Sequence, residues 1–344
     1  MKTELISLNY VELEKLILDM GQPKFRAKQI YDWIYKGAQS FDDMLNIPKS
    51  LREKLEAETY IGAVKICEKY VSNIDETRKY LLELSDGNFI ESVLMKYEYG
   101  YTICVSSQVG CRMGCKFCAS TIGGKERDLT PGELLGQIIC VQKDLGQRIS
   151  NVVMMGIGEP FDNFENVLKF IELVNAPGGL NIGQRHISIS TCGLAEKIRD
   201  FADKRLQITL LISLHAPDNE KRSQIMPVNK KYPIEELMEA CDYYIEKTGR
   251  RISFEYTLIA GVNDNIAEAD SLADLLRGKL CHVNLIPVNK VEETGFEKSN
   301  REGINAFRQR LEKRGISATI RREMGSDINA ACGQLRKKKN SGIK

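Results

Sequence analysis

The sequence has no excess of charge of either sign: 49 Lys and Arg stand against 47 Asp and Glu over 344 residues, leaving +2. Such a balance gives no overall pull towards nucleic acid, so any basic footprint has to be local. No apolar run approaches the ~18 residues of a membrane helix. The opening MKTELISLNYVELEKL carries acids where a secretion signal needs an apolar core. Ten cysteines in 344 residues are too sparse for a disulfide-stapled secreted scaffold. These absences leave a soluble, cytoplasmic, enzyme-sized chain with mostly reduced thiols, in which cysteines grouped at short spacing point to metal or redox chemistry. No internal repeat is visible, and the one compositionally biased stretch is the basic run at 336–339.

The first sixty residues read as helices. In VELEKLILDM, Val11, Leu13, Leu16, Ile17 and Met20 fall near one face. RAKQIYDWIYKG repeats the pattern through Ile30, Trp33 and Ile34 and stops at Gly37, and LREKLEAE makes a third short helix after Pro48. Strand character follows: KYLLEL and NFIESVLM flank Ser85-Asp86-Gly87, a hairpin signal, and TICVSS is a further strand. From there strands (NVVMM, HISIS, QITLLISL, RISFEYTLI, CHVNLI, ISATIR) alternate with helical stretches. Serial β–α units give a parallel sheet with helices outside. About 230 residues are short for eight full units, so the expected fold is α/β, an open partial β/α barrel with a small N-terminal helical domain. The expected division is a helical domain at 1–60, a β-hairpin linker at 61–97, the partial barrel at 98–330 and a C-terminal segment at 331–344.

Cys111, Cys115 and Cys118 lie in CRMGCKFC, a C-x3-C-x2-C spacing directly after a predicted strand. Structural zinc sites normally close with four ligands and favour two-residue gaps within each pair. No second Cys pair or close His follows, since the histidines at 186, 215 and 282 are scattered. Three thiolates on a [4Fe–4S] cluster, usually held by four, leave one iron open to a small molecule. This spacing, with Phe117 before the last Cys, resembles the radical S-adenosylmethionine (SAM) superfamily, whose open iron chelates the amino and carboxylate groups of SAM. Other residues fall where that superfamily places SAM contacts, each just past a predicted strand: Gly158 and Glu159 in GIGEP, Ser190 in HISIS, Ser213, Leu214 and His215 in SLH, and Asn289 after CHVNLI. The glycines would let backbone approach a ligand and Glu159 would suit an ammonium group. Taken singly, each of these residues is ordinary.

The match then narrows. ESV, CVSSQVGC, VVMMGIGEP, SLHAP, NKKYPIEE, NLIPVN and DINAACGQL resemble the RlmN family, methyltransferases of the adenine C2 carbon in 23S rRNA and tRNA. The resemblance implies a division of labour among otherwise bland residues. Cys332 accepts a methyl from a first SAM, and the cluster cleaves a second SAM to a radical that activates the methyl on Cys332. The resulting carbon radical adds to adenine C2. Glu91 takes the C2 proton, and Cys104 attacks the Cys332 sulfur, forming a disulfide and releasing the base. A thiolate carrier suits an electron-poor amidine carbon that would resist an electrophilic methyl. Without the resemblance, Cys104 reads as a small core residue, Cys332 as a helix cap and Glu91 as a strand carboxylate. The remaining cysteines (67, 140, 192, 241 and 281) read as structural.

The resemblance also implies 23S rRNA and tRNA as partners, an external flavodoxin or ferredoxin as electron donor, no membrane association and a monomer. Candidate phosphate contacts are Lys24, Arg26 and Lys28, the helix at 308–314, Arg321 and Arg322, and the run at 336–339. Two alternatives stand beside this reading: adenine C8 methylation of the Cfr type, with the same cluster and cysteines, and a zinc-stabilised RNA-binding protein without enzymatic activity.

Overall fold

The computed structural model describes residues 2–336. Ten strands form one sheet whose spatial order is the chain order: β1 (Lys65–Val71), β2 (Arg78–Glu83), β3 (Phe89–Tyr97), β4 (Gly100–Cys104), β5 (Ile149–Met154), β6 (Ile187–Thr191), β7 (Thr209–Ser213), β8 (Ile252–Leu258), β9 (Cys281–Pro287) and β10 (Ala318–Ile320). From β4 to β10 every pairing is parallel. A parallel neighbour requires a crossover, and helices supply it at each step: α4 (Pro131–Leu145), α5 (Phe164–Asn175), α6 (Ala195–Asp203), α7 (Asn219–Ile225) with α8 (Ile234–Thr248), α9 (Ile266–Leu276) and α10 (Arg301–Lys313). Strands β1 and β10 are the two edges, so the sheet stays open. The carboxyl ends of β4 to β9 therefore share one rim, where sites of such sheets form.

Local chemistry sets the crossovers. At the start of α4, Thr130 accepts from the Glu133 N–H at 3.0 Å while Glu133 accepts from the Thr130 N–H at 3.0 Å, a reciprocal cap. Pro131 opens the helix and Gly146, with φ +70°, ends it.

Three N-terminal helices, α1 (Tyr10–Asp19), α2 (Phe25–Tyr35) and α3 (Lys49–Glu58), bury Leu13 and Ile17, Ala27, Ile30 and Ile34, and Leu51 and Leu55. They rest on the outer helices of the sheet: the Gly132 N–H donates to Ser7 Oγ at 2.8 Å, and Lys169 on α5 pairs with Glu12 at 2.8 Å. Val11, expected on the buried face of α1, is 73% exposed. It lies two residues from Leu13, about 200° around the helix, so burying Leu13 and Ile17 turns it outward.

The stretch 61–97 is more than a hairpin linker. β1, β2 and β3 continue the sheet antiparallel from β4, so it is an integral wall of the same layer. Its turn has the expected chemistry, with the Gly87 N–H returning to Leu84 O at 3.0 Å. No helix among the described residues is long and apolar enough to cross a membrane.

Candidate functional site

Cys111, Cys115 and Cys118 occupy the loop beyond β4 and line one cavity at the carboxyl rim. Burial pushes the Cys111 thiol up to about 12 and raises Cys115 and Cys118 as well, so with no cation bound all three favour the protonated form. Among the described residues no three His, Cys, Asp or Glu side chains are gathered as a single-ion site; the three thiols share a cavity wall. The loop is pinned from outside by the Lys116 N–H on Ile225 O at 2.9 Å.

Six of the SAM-contact candidates, Gly158, Glu159, Ser190, Ser213, His215 and Asn289, line the same cavity. Leu214 does not: it is fully buried, and its carbonyl accepts from Arg222 Nε at 3.1 Å. Gly158 has a second constraint beside the expected one. A Cβ on Gly158 would lie 2.6 Å from Ser107 Oγ and 2.7 Å from Gln108 Cβ, and its φ is +107°. The missing side chain thus admits the neighbouring strand-loop as well as leaving backbone on the cavity. Gly158→Ala should destabilise the protein by about 1–3 kcal/mol and disorder the rim; a denaturation midpoint equal to wild type would contradict this.

Glu159 is committed to backbone, accepting from the Phe161 N–H at 2.9 Å and the Cys192 N–H at 2.7 Å. Burial raises its pKa against those bonds. It therefore ties β6 to the loop after β5 before any ligand arrives. His215 adopts φ +60°. Its Nδ1 accepts from the Thr257 N–H at 2.9 Å, and burial, aided by Arg222, lowers its pKa to about 3. The ring is therefore neutral with its proton on Nε2, and it meets the Phe117 ring edge-on at 4.9 Å.

A second cavity adjoins the first, and Cys332 lines both. Its other walls include Val93, Met95, Cys104, Met155 and Arg321. Cys104 ends β4, is 6% exposed, and burial pushes its thiol up to about 12. Neither Cys104 nor Cys332 is disulfide-bonded.

The Cys332 segment is held at several points. Asn289 Nδ2 donates to Cys332 O at 2.9 Å, the Ala119 N–H to Gly333 O at 2.7 Å, and Ser120 Oγ to Leu335 O at 2.9 Å. Gln334 reaches Lys290 O at 3.0 Å, and Arg336 pairs with Glu293 at 2.9 Å. The stretch 289–293, of which the sequence marks only Asn289, is thus a cradle for Cys332. Glu91 sits behind this segment. It is 6% exposed, pairs with Lys79 at 3.3 Å and accepts from the Arg336 N–H at 2.7 Å. Burial raises its pKa against the pull of Lys79. It lines neither cavity, although Leu335, beside its partner, lines the second.

Two profiles of known families match the chain: the radical SAM superfamily over residues 105–273 and the ribosomal RNA large subunit methyltransferase N-terminal domain over 3–61. A probable dual-specificity RNA methyltransferase RlmN from Clostridium perfringens (strain 13 / Type A) is 58% identical over 336 residues, 97% of each chain. The corresponding protein of Alkaliphilus oremlandii is 55% identical over 337 residues, 98% of each. The chain belongs to the RlmN family. A crystal structure of a radical SAM methyltransferase from Sphaerobacter thermophilus is 44% identical and superposes with a TM-score of 0.93 over 97% of this chain and 99% of that one.

For an RlmN-family protein the most informative residues are those the sequence left unmarked. Glu255 on β8 accepts from Ser190 Oγ at 2.6 Å and pairs with Arg321 at 3.1 Å. Arg321 also reaches Met155 Sδ at 3.3 Å, and the nearby Cys332 raises its pKa. Arg321, expected as a phosphate contact, is thus engaged inside the protein in this structure. It is an inward cation between the two cavities, in a place that only tertiary contacts reveal. Arg222 is wholly buried and donates to the Cys192 and Ser213 carbonyls at 2.7 and 3.3 Å, fixing the ends of β6 and β7. Cys192, read as structural, lines the first cavity, and Cys67 is exposed on β1.

The other basic candidates in this RlmN-family chain are largely compensated. Lys24 pairs with Glu14 at 3.0 Å, Lys28 pairs with Asp32, and Arg310 and Arg314 pair with Asp270 at 2.7 Å each. Arg26 donates to Gln29 at 2.8 Å, and Arg322 is exposed at the second cavity. Arg336 is engaged with Glu293, and the remainder of the 336–339 run lies outside the described residues.

Proposed function

We propose that this protein methylates the C2 carbon of an adenine in 23S rRNA and in tRNA, with Cys332 as a covalent methyl carrier. The observation that carries this reading is the position of Cys332 as a shared wall. On one side lie the three thiols of the cluster loop; on the other is a second chamber containing a further, unpaired thiol, Cys104. A carrier that collects a methyl in one compartment and delivers it in another needs this arrangement. The full-length likeness to proteins called dual-specificity RNA methyltransferases supports the choice of substrates.

Cys111, Cys115 and Cys118 would be the three protein ligands of the [4Fe–4S] cluster, and Gly158, Ser190, Ser213, His215 and Asn289 would hold SAM beside it. The fit rests on three buried thiols on one cavity wall and on a neutral His215 presenting an N–H there. Cluster and SAM together supply one-electron cleavage of a carbon–sulfur bond and the hydrogen abstraction that follows. An electron from a flavodoxin or ferredoxin is needed, and the protein acts in the cytoplasm as a monomer.

The chain's own residues do the rest. The Cys332 thiol, which burial holds above its ordinary pKa against the opposing pull of the Arg321 cation, gives up its proton to water and takes a methyl from one SAM, which leaves as S-adenosylhomocysteine. After activation, the Cys332-borne carbon bonds to adenine C2. Glu91 then takes the C2 proton, once the 335–336 segment shifts from its carboxylate, and the adduct gives up its unpaired electron, for which the oxidised cluster would be the acceptor, so that a closed-shell methylene bridge joins Cys332 to the base. The Cys104 sulfur bonds to the Cys332 sulfur as the sulfur–carbon bond breaks. The electron pair of that bond stays on carbon, which is protonated to the methyl group.

The deciding experiment is nucleoside analysis of RNA treated with reconstituted protein, SAM and a reductant. The expected product is 2-methyladenosine from both RNAs. 8-Methyladenosine, as a Cfr-type enzyme would give, or no methylated adenosine at all would overturn the proposal.

A further inference from the structure

The reading above leaves unexplained a pair of tyrosines at the solvent end of the Cys104 chamber. Strands β3 and β4 are joined by the two-residue turn Glu98-Tyr99, with Tyr97 paired to Gly100. The rings of Tyr97 and Tyr99 lie face to face, centroids 5.0 Å apart and planes 5° from parallel. Their surroundings differ. Tyr97 is half-buried and lines the chamber with Cys104 and Cys332, whereas Tyr99 is 68% exposed. Val93, Met95 and Tyr97 alternate along β3 on the chamber side, and Val93 pairs with Cys104. Tyr97 therefore marks a point about 13 Å along the strand from the resolving cysteine, at roughly 3.3 Å per residue.

The turn itself does not ask for these rings. Tight two-residue hairpin turns favour Asn, Asp and Gly, and the unusual backbone angle is taken by Gly100 at φ +121°. An aromatic stack with one face on a reaction chamber and the other on solvent is a chemically specific surface. It accepts a flat, weakly polar ring laid on the free face of Tyr99. Arg322, exposed and also lining the chamber, adds a cation within the same mouth.

We propose that Tyr97 and Tyr99 form a stacking platform for a nucleobase adjoining the target adenine. The inference rests on the RNA methyltransferase reading and goes beyond it. An adenine entering a buried chamber must leave its own stack, and its neighbour loses a partner. The open face of Tyr99 replaces that partner. Base–aromatic stacking tolerates every base because each has a π-face, which suits an enzyme that serves two RNAs. The platform fixes where the strand turns and so directs the adenine towards Cys332; Tyr97 and Tyr99 are positioning residues.

The test uses the full-length, iron-loaded protein with stem-loop RNAs of the rRNA and tRNA types, 2-aminopurine being placed next to the target adenine. Tyr99→Ala should raise the KM for both RNAs about tenfold, in line with the loss of one stacked base, with the loss falling on KM rather than kcat. Tyr99→Phe and Tyr99→Trp, which keep a ring, should restore wild-type KM. Fluorescence of 2-aminopurine should be quenched on binding to wild type, Phe and Trp proteins and not to the Ala protein. Equal KM and equal quenching for wild type and Tyr99→Ala would overturn the platform, whatever the variant's melting temperature. A Phe protein as impaired as the Ala protein would also overturn it, since a ring would then not be what matters. If wild type carries a methyl on Cys332 but neither binds nor methylates either RNA, the underlying reading fails and the platform with it.

Discussion

Replacing Cys104 with Ala should leave protein and RNA covalently joined. In the proposed sequence the methylated base leaves only when a second sulfur attacks Cys332. Cys104 is the cysteine that lines the second chamber with Cys332, and at 6% exposure it is shielded from competing thiols. Its side chain contributes one small buried group, packed among Val93, Met95 and Leu335, so the substitution leaves the fold intact and costs about 1 kcal/mol. Turnover should fall by at least about a thousandfold, the scale seen when a member of a concerted catalytic set is removed. A species of protein plus RNA mass should accumulate on denaturing gels, one RNA per chain, with the bond on Cys332. Free methylated RNA released at the wild-type rate would show that something else resolves the adduct.

Glu91→Gln should produce a related arrest with a different origin. The amide keeps the shape and can still accept from the Arg336 N–H, so the hold on the C-terminal segment survives. It cannot take a proton, and it leaves Lys79 buried without its counter-ion at 3.3 Å. Loss of a general base typically lowers a rate by about 10²–10⁴. Methylation of Cys332 precedes the proton transfer and should be undiminished, while the RNA adduct decays slowly. Unaltered turnover would return Glu91 to a structural role, as the buried partner of Lys79 and the clamp on Arg336.

The two variants probe residues that differ in how visible they are in the sequence. The parallel sheet was legible because each β–α unit carries its own local signals, such as Thr130 and Glu133 at one end of α4 and Gly146 at the other. The cluster loop was legible because three thiols fall within eight positions. The inward turn of Arg321 is not legible because a sequence shows charge and not direction: two adjacent arginines look alike, yet Arg321 turns to Glu255 while Arg322 faces solvent. Gly158 lines the cavity as its sequence position suggests, but the close approach of Ser107 and Gln108, fifty positions earlier, is visible only in the fold. In the 289–293 cradle only Asn289 stands out in the sequence, and as a ligand contact; its hold on Cys332 and that of the Lys290 carbonyl on Gln334 are made to partners more than forty residues away. The three antiparallel strands before β4 were reduced to a hairpin because β1, mostly exposed, lacks the apolar alternation that marks a strand.

The central claim is that Cys332 carries the methyl group. Mass spectrometry of the peptide containing Cys332, from protein produced with ample iron and handled without oxygen, tests it most directly. A methyl on Cys332, absent from Cys104 and lost in Cys111→Ala protein that cannot hold the cluster, is the predicted result. An unmodified Cys332 in iron-loaded protein supplied with SAM would contradict the account.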